Sequence, residues 1–267
     1  MRAIWAIAST TVGEAIRRRV LLVILFIGLL FMFVAPGLGV LSTRQETTVL
    51  KGMMLGIIQL TSAVIAIVLT VYMIPNEIER RTIYTILCKP VQRWQFLVGK
   101  YLGAILALGL MMALMTAVLI IVVALQSTQG GASLNTGQLA EIAKAPVLYY
   151  VQMSLLAAVA IFFSTFVTPL VNFFLAGGMY LLGSLFNPFF ETLEKSQNTP
   201  AAAKTAAMVV NTLLPNFANY NVQNPIINPG QSIQNESVYY MTVTGYGILY
   251  IIGLLIGGML IFERREV

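Results

Sequence analysis

The residues best able to do chemistry form a charged insert between two long apolar stretches. Only 10% of the chain is charged, yet the 26 residues from Pro75 to Lys100 contain seven charged side chains. These are Glu77, Glu79, Arg80, Arg81, Lys89, Arg93 and Lys100. Their chemistry is ion pairing and hydrogen bonding. Such a density of charge beside apolar stretches is typical of a surface that contacts another protein next to a membrane.

Two residue types that many enzymes depend on are missing. The chain contains no histidine and no aspartate, which excludes a Ser-His-Asp triad, a histidine-bound metal and phosphoryl transfer through aspartate. No G-x-x-x-x-G-K-[ST] loop occurs, so ATP is not bound by that route. Glu191 and Glu194 could pair as carboxylates, but their place at the end of an apolar stretch favours solvated side chains. Cys88 is the single cysteine and forms no internal disulfide. We therefore expect no enzyme activity, no cofactor and no metal ion.

The composition places most of the chain in a membrane. Hydrophobic residues make up 58% of it, and a bilayer core of about 30 Å needs roughly 20 apolar residues per helix. Thr168-Pro169 divides the longest apolar stretch into two helices. The predicted spans are Val20–Leu41, Gly52–Ile74, Tyr101–Leu125, Val147–Val167, Leu170–Phe189 and Ser237–Phe262. The expected fold is an all-α polytopic membrane protein with six transmembrane helices in a single domain, residues 1–267.

The distribution of basic residues predicts the orientation of these spans. With the N-terminus inside, the inner segments carry eleven Lys and Arg residues and the outer segments five, in agreement with the positive-inside rule. Six spans then place both termini in the cytoplasm, and we expect a multi-pass protein of the inner (plasma) membrane. The basic inner face attracts anionic membrane lipid. No nucleic-acid partner is expected, because no basic domain stands free of the membrane.

An amphipathic helix is predicted before the first span. Its apolar side consists of Ile4, Trp5, Ala8, Val12, Ala15 and Ile16. Three arginines at 17–19 follow it, so we expect a helix that lies on the inner membrane surface and ends at a basic anchor. The apolar run that follows is long enough to span a membrane, which argues against a cleaved signal peptide.

The polar side chains within the predicted spans are neutral. They are Gln59, Thr61, Ser62, Thr116, Gln152, Ser164 and Asn172. Hydrogen bonds between helices are the favoured role, with substrate contact as the alternative. Since the predicted spans contain no ionisable side chain, a proton-coupled pump is disfavoured. Two G-x-x-x-G pairs, Gly99/Gly103 and Gly253/Gly257, allow close helix packing.

Two loops are predicted on the outer side. A polar loop, Gln126–Lys144, joins the third and fourth spans. Between Glu191 and Ser237 the chain is first rich in alanine and then rich in asparagine and proline. We expect a short helix against the outer surface in the first part and turns in the second.

The charged insert has the pattern of a short capped helix. Asn76 is placed to cap its N-terminus, with Glu79 three residues on. Glu77 can pair with Arg81 at the i, i+4 spacing, and Lys89-Pro90 ends the helix. Arg93 and Trp94 then begin the next helix. Such a segment, held at both ends by transmembrane helices, either transmits motion from a soluble partner or is a solvated connector.

A family resemblance favours the first interpretation. The pattern E-x-E-R-x-T-I, L-x-K-P, R-W and G-K resembles the membrane subunits of ABC transporters of the type-2 permease family, with the branch associated with multicopper-enzyme maturation as the most similar. The positions that carry it are Glu77, Glu79, Arg80, Thr82, Ile83, Leu87, Lys89, Pro90, Arg93, Trp94, Gly99 and Lys100. The basic N-terminal helix, the six spans and the Phe262–Arg265 tail extend it along the chain. It implies that the insert is a cytoplasmic coupling helix that docks into a separate ATPase subunit, and that two permeases and two ATPases form one exporter.

The resemblance therefore implies both a function and a set of coupling residues. The chain would be the permease subunit of an ATP-driven exporter, and two copies of it would form a homodimer of permeases. The ATPase-coupling residues would be Glu77, Glu79, Arg80, Arg81, Thr82, Leu87, Lys89, Pro90 and Arg93. A membrane scaffold or assembly protein without transport activity is the alternative. The spans carry no charged pocket, so an apolar or amphipathic molecule, a peptide, or mechanical coupling to an outer protein all fit as cargo.

Overall fold

A computed structural model of the chain describes residues 2–39, 46–79, 92–129, 136–186, 200, 205, 208, 214–221 and 236–264. These residues are mostly helical and contain no strand. In chain order the helices are α1 (Arg2–Arg17), α2 (Arg19–Gly39), α3 (Glu46–Val71), α4 (Met73–Glu79), α5 (Arg93–Gln129), α6 (Thr136–Ser164), α7 (Pro169–Leu181) and α8 (Glu236–Arg264). A π-helical turn, Leu182–Phe186, continues α7, and a single 3₁₀ turn covers Ala218–Tyr220.

The prediction of an all-α polytopic membrane protein is confirmed. In the described part of the chain, five stretches are long and apolar enough to cross a membrane, and they lie in α2, in α3 with α4, in α5, in α6 and in α8. The remaining predicted span corresponds to α7 with its π-helical turn, a shorter apolar helix over Pro169–Leu185. The total of six spans stays a prediction.

Helices α3 and α6 form the centre of the bundle. In their apolar stretches 67% and 72% of the residues are buried, against 28% in α2 and 22% in α8. Helix α3 packs against α2, α5 and α6, whereas α6 also contacts α7 and α8. The outer helices therefore expose broad apolar faces, as expected where lipid replaces water as the solvent.

Helix α5 begins at Arg93, where the sequence predicted that the helix after the insert begins. Helix α6 begins earlier than predicted, at Thr136, and passes through Pro146. Proline is tolerated inside a membrane helix because neighbouring groups can satisfy the backbone carbonyl that it frees. The predicted loop over 126–144 is therefore wrong at both ends, since 126–129 and 136–144 are helical. Residues 130–135 lie outside the described residues.

The predicted turn at Thr168-Pro169 is confirmed. Helix α6 ends at Ser164 and α7 begins at Pro169, with Thr168 in an extended conformation at the N-cap. Proline suits the first turn of a helix, where its missing N–H has no helical partner in any case.

The amphipathic N-terminal helix is also confirmed, with a different contact face from the one expected. Helix α1 buries three small residues, Ala8, Thr11 and Ala15, mainly against α5. Trp5 is 65% exposed and Ile16 is 40% exposed. The small residues thus contact the bundle, whereas Trp5 and Ile16 face outward, where an interfacial helix meets lipid.

The segment at residues 214–221, which contains the 3₁₀ turn Ala218–Tyr220, buries its aromatic side chains among the helices, and the turn predicted for this part of the chain is present. Phe217 and Tyr220 are fully buried. The Phe217 ring packs edge-on against Tyr180 with ring centroids 5.6 Å apart. A Cβ atom on Gly183 would lie 2.5 Å from the Pro215 carbonyl oxygen, so glycine is needed for this close approach.

Hydrogen bonds from the helices satisfy this buried segment. The Gln152 side chain donates to the Phe217 carbonyl at 2.9 Å, and the Tyr220 hydroxyl donates to the Val243 carbonyl at 3.1 Å. Gln152 lies ten residues into the apolar stretch Ile142–Ser164, which at 1.5 Å per residue is about 15 Å along the helix. Irregular backbone at that depth requires protein partners, because lipid offers none.

Candidate functional site

Charged side chains from α1, α4 and α5 lie together with the last carbonyls of α8 at one end of the bundle, which we call the basic end. It comprises the end of α1 at Arg17, the short helix α4, the start of α5 at Arg93 and the end of α8 at Arg264. The charged insert of the sequence leaves and re-enters the bundle here, between α4 and α5. The basic end is therefore the candidate functional site.

Lys100 is the centre of this site. Its Nζ atom donates a hydrogen bond to Oε1 of Glu77 at 2.6 Å and lies 3.8 Å from Oε2 of Glu14. It also sits 5.8 Å from the centroid of the Phe96 ring. The whole residue is only 4% exposed. A lysine at this depth requires such compensation, because desolvating an unpaired charge is costly.

Two carboxylates and the Lys100 ammonium group between them connect three helices. Glu77 belongs to α4, Lys100 to α5 and Glu14 to α1. Glu14 in turn accepts a hydrogen bond from Arg18 at 2.7 Å. The result is a chain of alternating charge, Arg18–Glu14–Lys100–Glu77, that crosses the basic end.

Close backbone contact holds α1 against α5. A Cβ atom on Gly103 would lie 2.5 Å from Cβ of Thr11 and 2.8 Å from the Ala8 carbonyl oxygen. A Cβ atom on Gly99 would lie 2.9 Å from Cβ of Ile7. The predicted G-x-x-x-G packing is thus confirmed at Gly99/Gly103, and its partner is the N-terminal helix of the same chain.

The second G-x-x-x-G pair does not form a comparable contact. Nothing in the described structure lies within 4 Å of a Cβ atom built on Gly253. The nearest atom to one built on Gly257 belongs to the Phe162 ring, at 3.3 Å. Glycine spacing alone therefore did not distinguish a packed pair from an open one.

Arg93 joins the start of α5 to the end of α8. Its Nη1 atom donates to the carbonyl oxygens of Phe262 and Glu263, both at 3.2 Å. The Phe96 and Phe262 rings stack beside it with centroids 6.3 Å apart. A guanidinium at the last carbonyls of a helix satisfies orphan acceptors and complements the helix dipole.

The structure places three of the nine predicted coupling residues. Glu77 is half-buried on Lys100, Glu79 is the last residue of α4 and Arg93 caps α8. The other six lie outside the described residues, and they are Arg80, Arg81, Thr82, Leu87, Lys89 and Pro90.

The predicted N-cap at Asn76 is wrong. Helix α4 begins at Met73, and the Asn76 amide donates to the Tyr72 carbonyl at 3.2 Å, as an interior helical residue does. Helical structure therefore resumes one residue after α3 ends at Val71. Pro75 does not prevent this, because a proline near the start of a helix removes no hydrogen bond that the helix needs.

Sequence reasoning missed the structural role of Lys100 and Glu14. It began the third span at Tyr101 and so placed no ionisable residue in it, whereas Lys100 lies buried within α5. One signal was available. Phe96, Lys100 and Gly103 are spaced i, i+4 and i+7 and share a helix face, and that face is the one that α1 covers.

Of the seven polar side chains predicted to bond between helices, Gln59, Gln152 and Asn172 do so. Gln59 of α3 donates to Gln152 of α6 at 3.2 Å. Asn172 of α7 donates to the Ala160 carbonyl of α6 at 2.9 Å. Thr116 and Ser62 instead donate to carbonyls of their own helices. These interhelical hydrogen bonds thus hold α6 to α3 and to α7.

Two clefts are large enough to hold part of a ligand. An apolar groove of about 450 Å³ between α5 and α6 is lined by Gly109, Thr116, Pro146 and Tyr150 among others, and suits apolar chains. A polar cleft of about 600 Å³ at the basic end is lined by residues that include Glu14, Arg17, Arg18 and Asn76. Within the ranges the structure describes, no group of three or more potential ligand side chains gathers to hold a metal ion.

Fold and site together define a polytopic α-helical membrane protein with a charged insert anchored at one end of its bundle. The family model described as ABC-2 family transporter protein matches residues 5–267, and the chain belongs to this family. It is therefore a multi-pass permease component of an ABC transporter, and the family implies an ABC ATPase as partner in general. The resemblance seen in the sequence is confirmed at this level, while the narrower multicopper-maturation branch stays a prediction. No curated protein matches the chain.

Proposed function

We propose that this chain is the permease subunit of an ATP-driven exporter and that it couples a separate ATPase subunit to substrate movement through residues 77–93. ATP hydrolysis takes place on the ATPase subunit. The nine coupling residues named from the sequence form or fix the docking surface. A single permease domain, residues 1–267, spans the membrane and moves the substrate.

The anchoring of both ends of the insert is the observation that supports this proposal. At its start, Glu77 is held on the buried Lys100 at 2.6 Å. At its end, Arg93 donates to two carbonyls of α8. A solvated connector needs no such attachment. A segment that receives force from a partner does, because force applied to a free loop is lost in loop motion.

The proposed orientation puts the basic end in the cytoplasm of the cell, with both termini there and the protein in the inner (plasma) membrane. Eleven inner against five outer basic residues support it. Cys88 is the single cysteine, so a membrane-impermeant thiol reagent should leave it unlabelled in intact cells and label it after permeabilisation. Labelling in intact cells would reverse the orientation.

We further propose a homodimer of permeases surrounded by anionic lipid at the basic end. The broad apolar faces of α2 and α8 leave room for a second copy in the membrane, and the family resemblance suggests two permeases per transporter. The mass of the purified complex should fit two copies of this chain. A mass that fits one copy only would exclude the homodimer.

The coupling proposal is tested by Glu79→Ala combined with Arg80→Ala. Exposed charged pairs contribute only about 0–1 kcal/mol, so expression and membrane insertion should be unchanged. Copurification of the ATPase, or the change that the permease causes in its ATP turnover, should fall. The matched control is Arg44→Ala with Glu46→Ala, which removes one basic and one acidic side chain from a segment that the sequence predicts on the outer side.

The outcome separates coupling from the alternatives. Full ATPase binding and full turnover in the Glu79/Arg80 variant would show that these residues make no contact. An ATPase that binds the wild-type chain without any change in turnover would favour a scaffold over a transporter.

A further inference from the structure

We propose that Lys100 is a positioning residue that holds the start of the insert, at Glu77, against α1 and α5. Movement of the insert is then passed to both helices. This inference rests on the proposed ATPase coupling and assigns its mechanical link inside the permease. Lys100 contacts no substrate or nucleotide. It acts through Glu77, on which the insert begins.

The first argument is the break between α3 and α4. Helix α3 ends at Val71 and α4 begins at Met73, with Tyr72 in a turn between them. Pro75 has no N–H to donate to the Val71 carbonyl four residues before it, so the helical hydrogen-bond ladder lacks one bond here and the two segments can change direction relative to each other. Helix α4 is only seven residues long, so its direction depends on what holds its far end.

The second argument is that Glu77 holds that far end. It is the fifth residue of α4, and its Oε1 atom lies 2.6 Å from the Lys100 Nζ atom. The Glu77 side chain is 17% exposed and the Lys100 side chain 5% exposed. Water and salt therefore screen the pair little, and the bond fixes α4 in one direction relative to α5.

The third argument is the connection onward to α1. Glu14 lies 3.8 Å from Lys100 on the side of α1, and Gly103 seats α1 on α5 one turn further along. Lys100 thus lies where three helices meet. A displacement of α4 is passed to α5 directly and to α1 through the shared ammonium group.

The fourth argument concerns why an ion pair is present at all. Replacing a buried ion pair by apolar residues of similar size is often neutral or stabilising. Stability alone therefore does not require Lys100 and Glu77. An ion pair does provide a directional link between two specific atoms, which apolar packing does not, and this is what transmission of movement needs.

The test uses the complete complex of permease and copurified ATPase in nanodiscs. Lys100→Met with Glu77→Met replaces the pair by apolar side chains and leaves no unpaired buried charge, so the variant should fold even if Lys100→Met alone does not. Assembly, thermal unfolding midpoint and KM for ATP should stay near wild type. The change in ATP turnover that the permease causes should fall by roughly fivefold or more, within the usual range of coupling between sites. Lys51→Met, which removes a lysine far from the basic end, should change nothing.

The outcomes distinguish this inference from the function on which it rests. A Lys100/Glu77 double variant that retains full permease-dependent turnover would overturn the positioning role and leave ATPase coupling intact. A wild-type complex with no bound ATPase, or with turnover equal to that of the ATPase alone, would overturn both. Loss of turnover with normal assembly and normal KM supports the proposed link, since a pair that serves stability alone would leave turnover unchanged once apolar packing replaces it.

Discussion

Adding a single methyl group at Gly103 should push the N-terminal helix off the bundle. In Gly103→Ala the new Cβ atom would lie 2.5 Å from Cβ of Thr11, whereas carbon atoms pack at about 3.5–4.0 Å. Helix α1 must therefore move by about 1 Å. Rotation of Thr11 gives no relief, because its own Cβ atom and the Ala8 backbone oxygen at 2.8 Å are the obstacles. Overpacking of this kind costs about 1–3 kcal/mol.

Two measurements would detect the displacement of α1. The thermal unfolding midpoint of the purified Gly103→Ala protein should fall, and trypsin should cleave faster at the arginines 17–19, where α1 joins α2. Gly253→Ala is the matched control. It makes the same substitution in the other G-x-x-x-G pair, where the described structure leaves open space around the added Cβ atom. There the better helix propensity of alanine should leave stability unchanged or raise it by up to about 1 kcal/mol.

Equal stability and equal trypsin sensitivity in the two glycine variants would refute the reasoning. It would mean that α1 is not seated on α5 through Gly103. A lower midpoint without faster cleavage would also count against it, because the strain would then be absorbed elsewhere in the bundle.

Two further substitutions test one hydrogen bond inside the bundle and two at its basic end. Gln152→Ala leaves the buried Phe217 carbonyl without its donor, at a cost of about 1–3 kcal/mol of folding stability. Amide hydrogen exchange over residues 214–221 should therefore speed up. Unchanged exchange would show that the bond is dispensable. Arg93→Ala removes the donor to the Phe262 and Glu263 carbonyls and should cost about 0.3–1 kcal/mol of folding stability. Amide hydrogen exchange should become faster only in the last turn of α8. Exchange equal to that of the wild type in that turn would argue that Arg93 does not cap the helix.

The sequence was sufficient to locate the membrane helices, because each needs a long uncharged window and few other structures do. It was weaker at their ends. The membrane span was drawn from Tyr101 because Lys100 is charged, yet Lys100 lies buried in α5 with carboxylates from two other helices beside it. Such compensation comes from residues 23 and 86 positions away in the chain, and no local pattern reports it.

The asparagine-rich segment shows a second limit. Its turn chemistry was predicted and is present: the Asn216 side chain accepts from the Ala218 amide at 3.1 Å. Its location was not predicted, since asparagine and proline usually mark solvent-exposed turns. The decisive residues are Phe217 and Tyr220, whose rings fill space between helices, and the available space depends on how α6, α7 and α8 pack.

The buried segment 214–221 also sets an order for the assembly of the protein during synthesis. Its partners lie on both sides of it in the chain. Gln152 is made before it, but Tyr239, which donates to the Asn219 carbonyl at 2.6 Å, and Val243 are made after it. Chains emerge from the ribosome N-terminal part first, so the segment lacks its hydrogen-bond partners Tyr239, Val243 and Tyr246 until α8 has entered the membrane. Seating of Phe217 and Tyr220 is thus a late step, and a nascent chain that stops before α8 would hold two aromatic side chains with no complete site to fill.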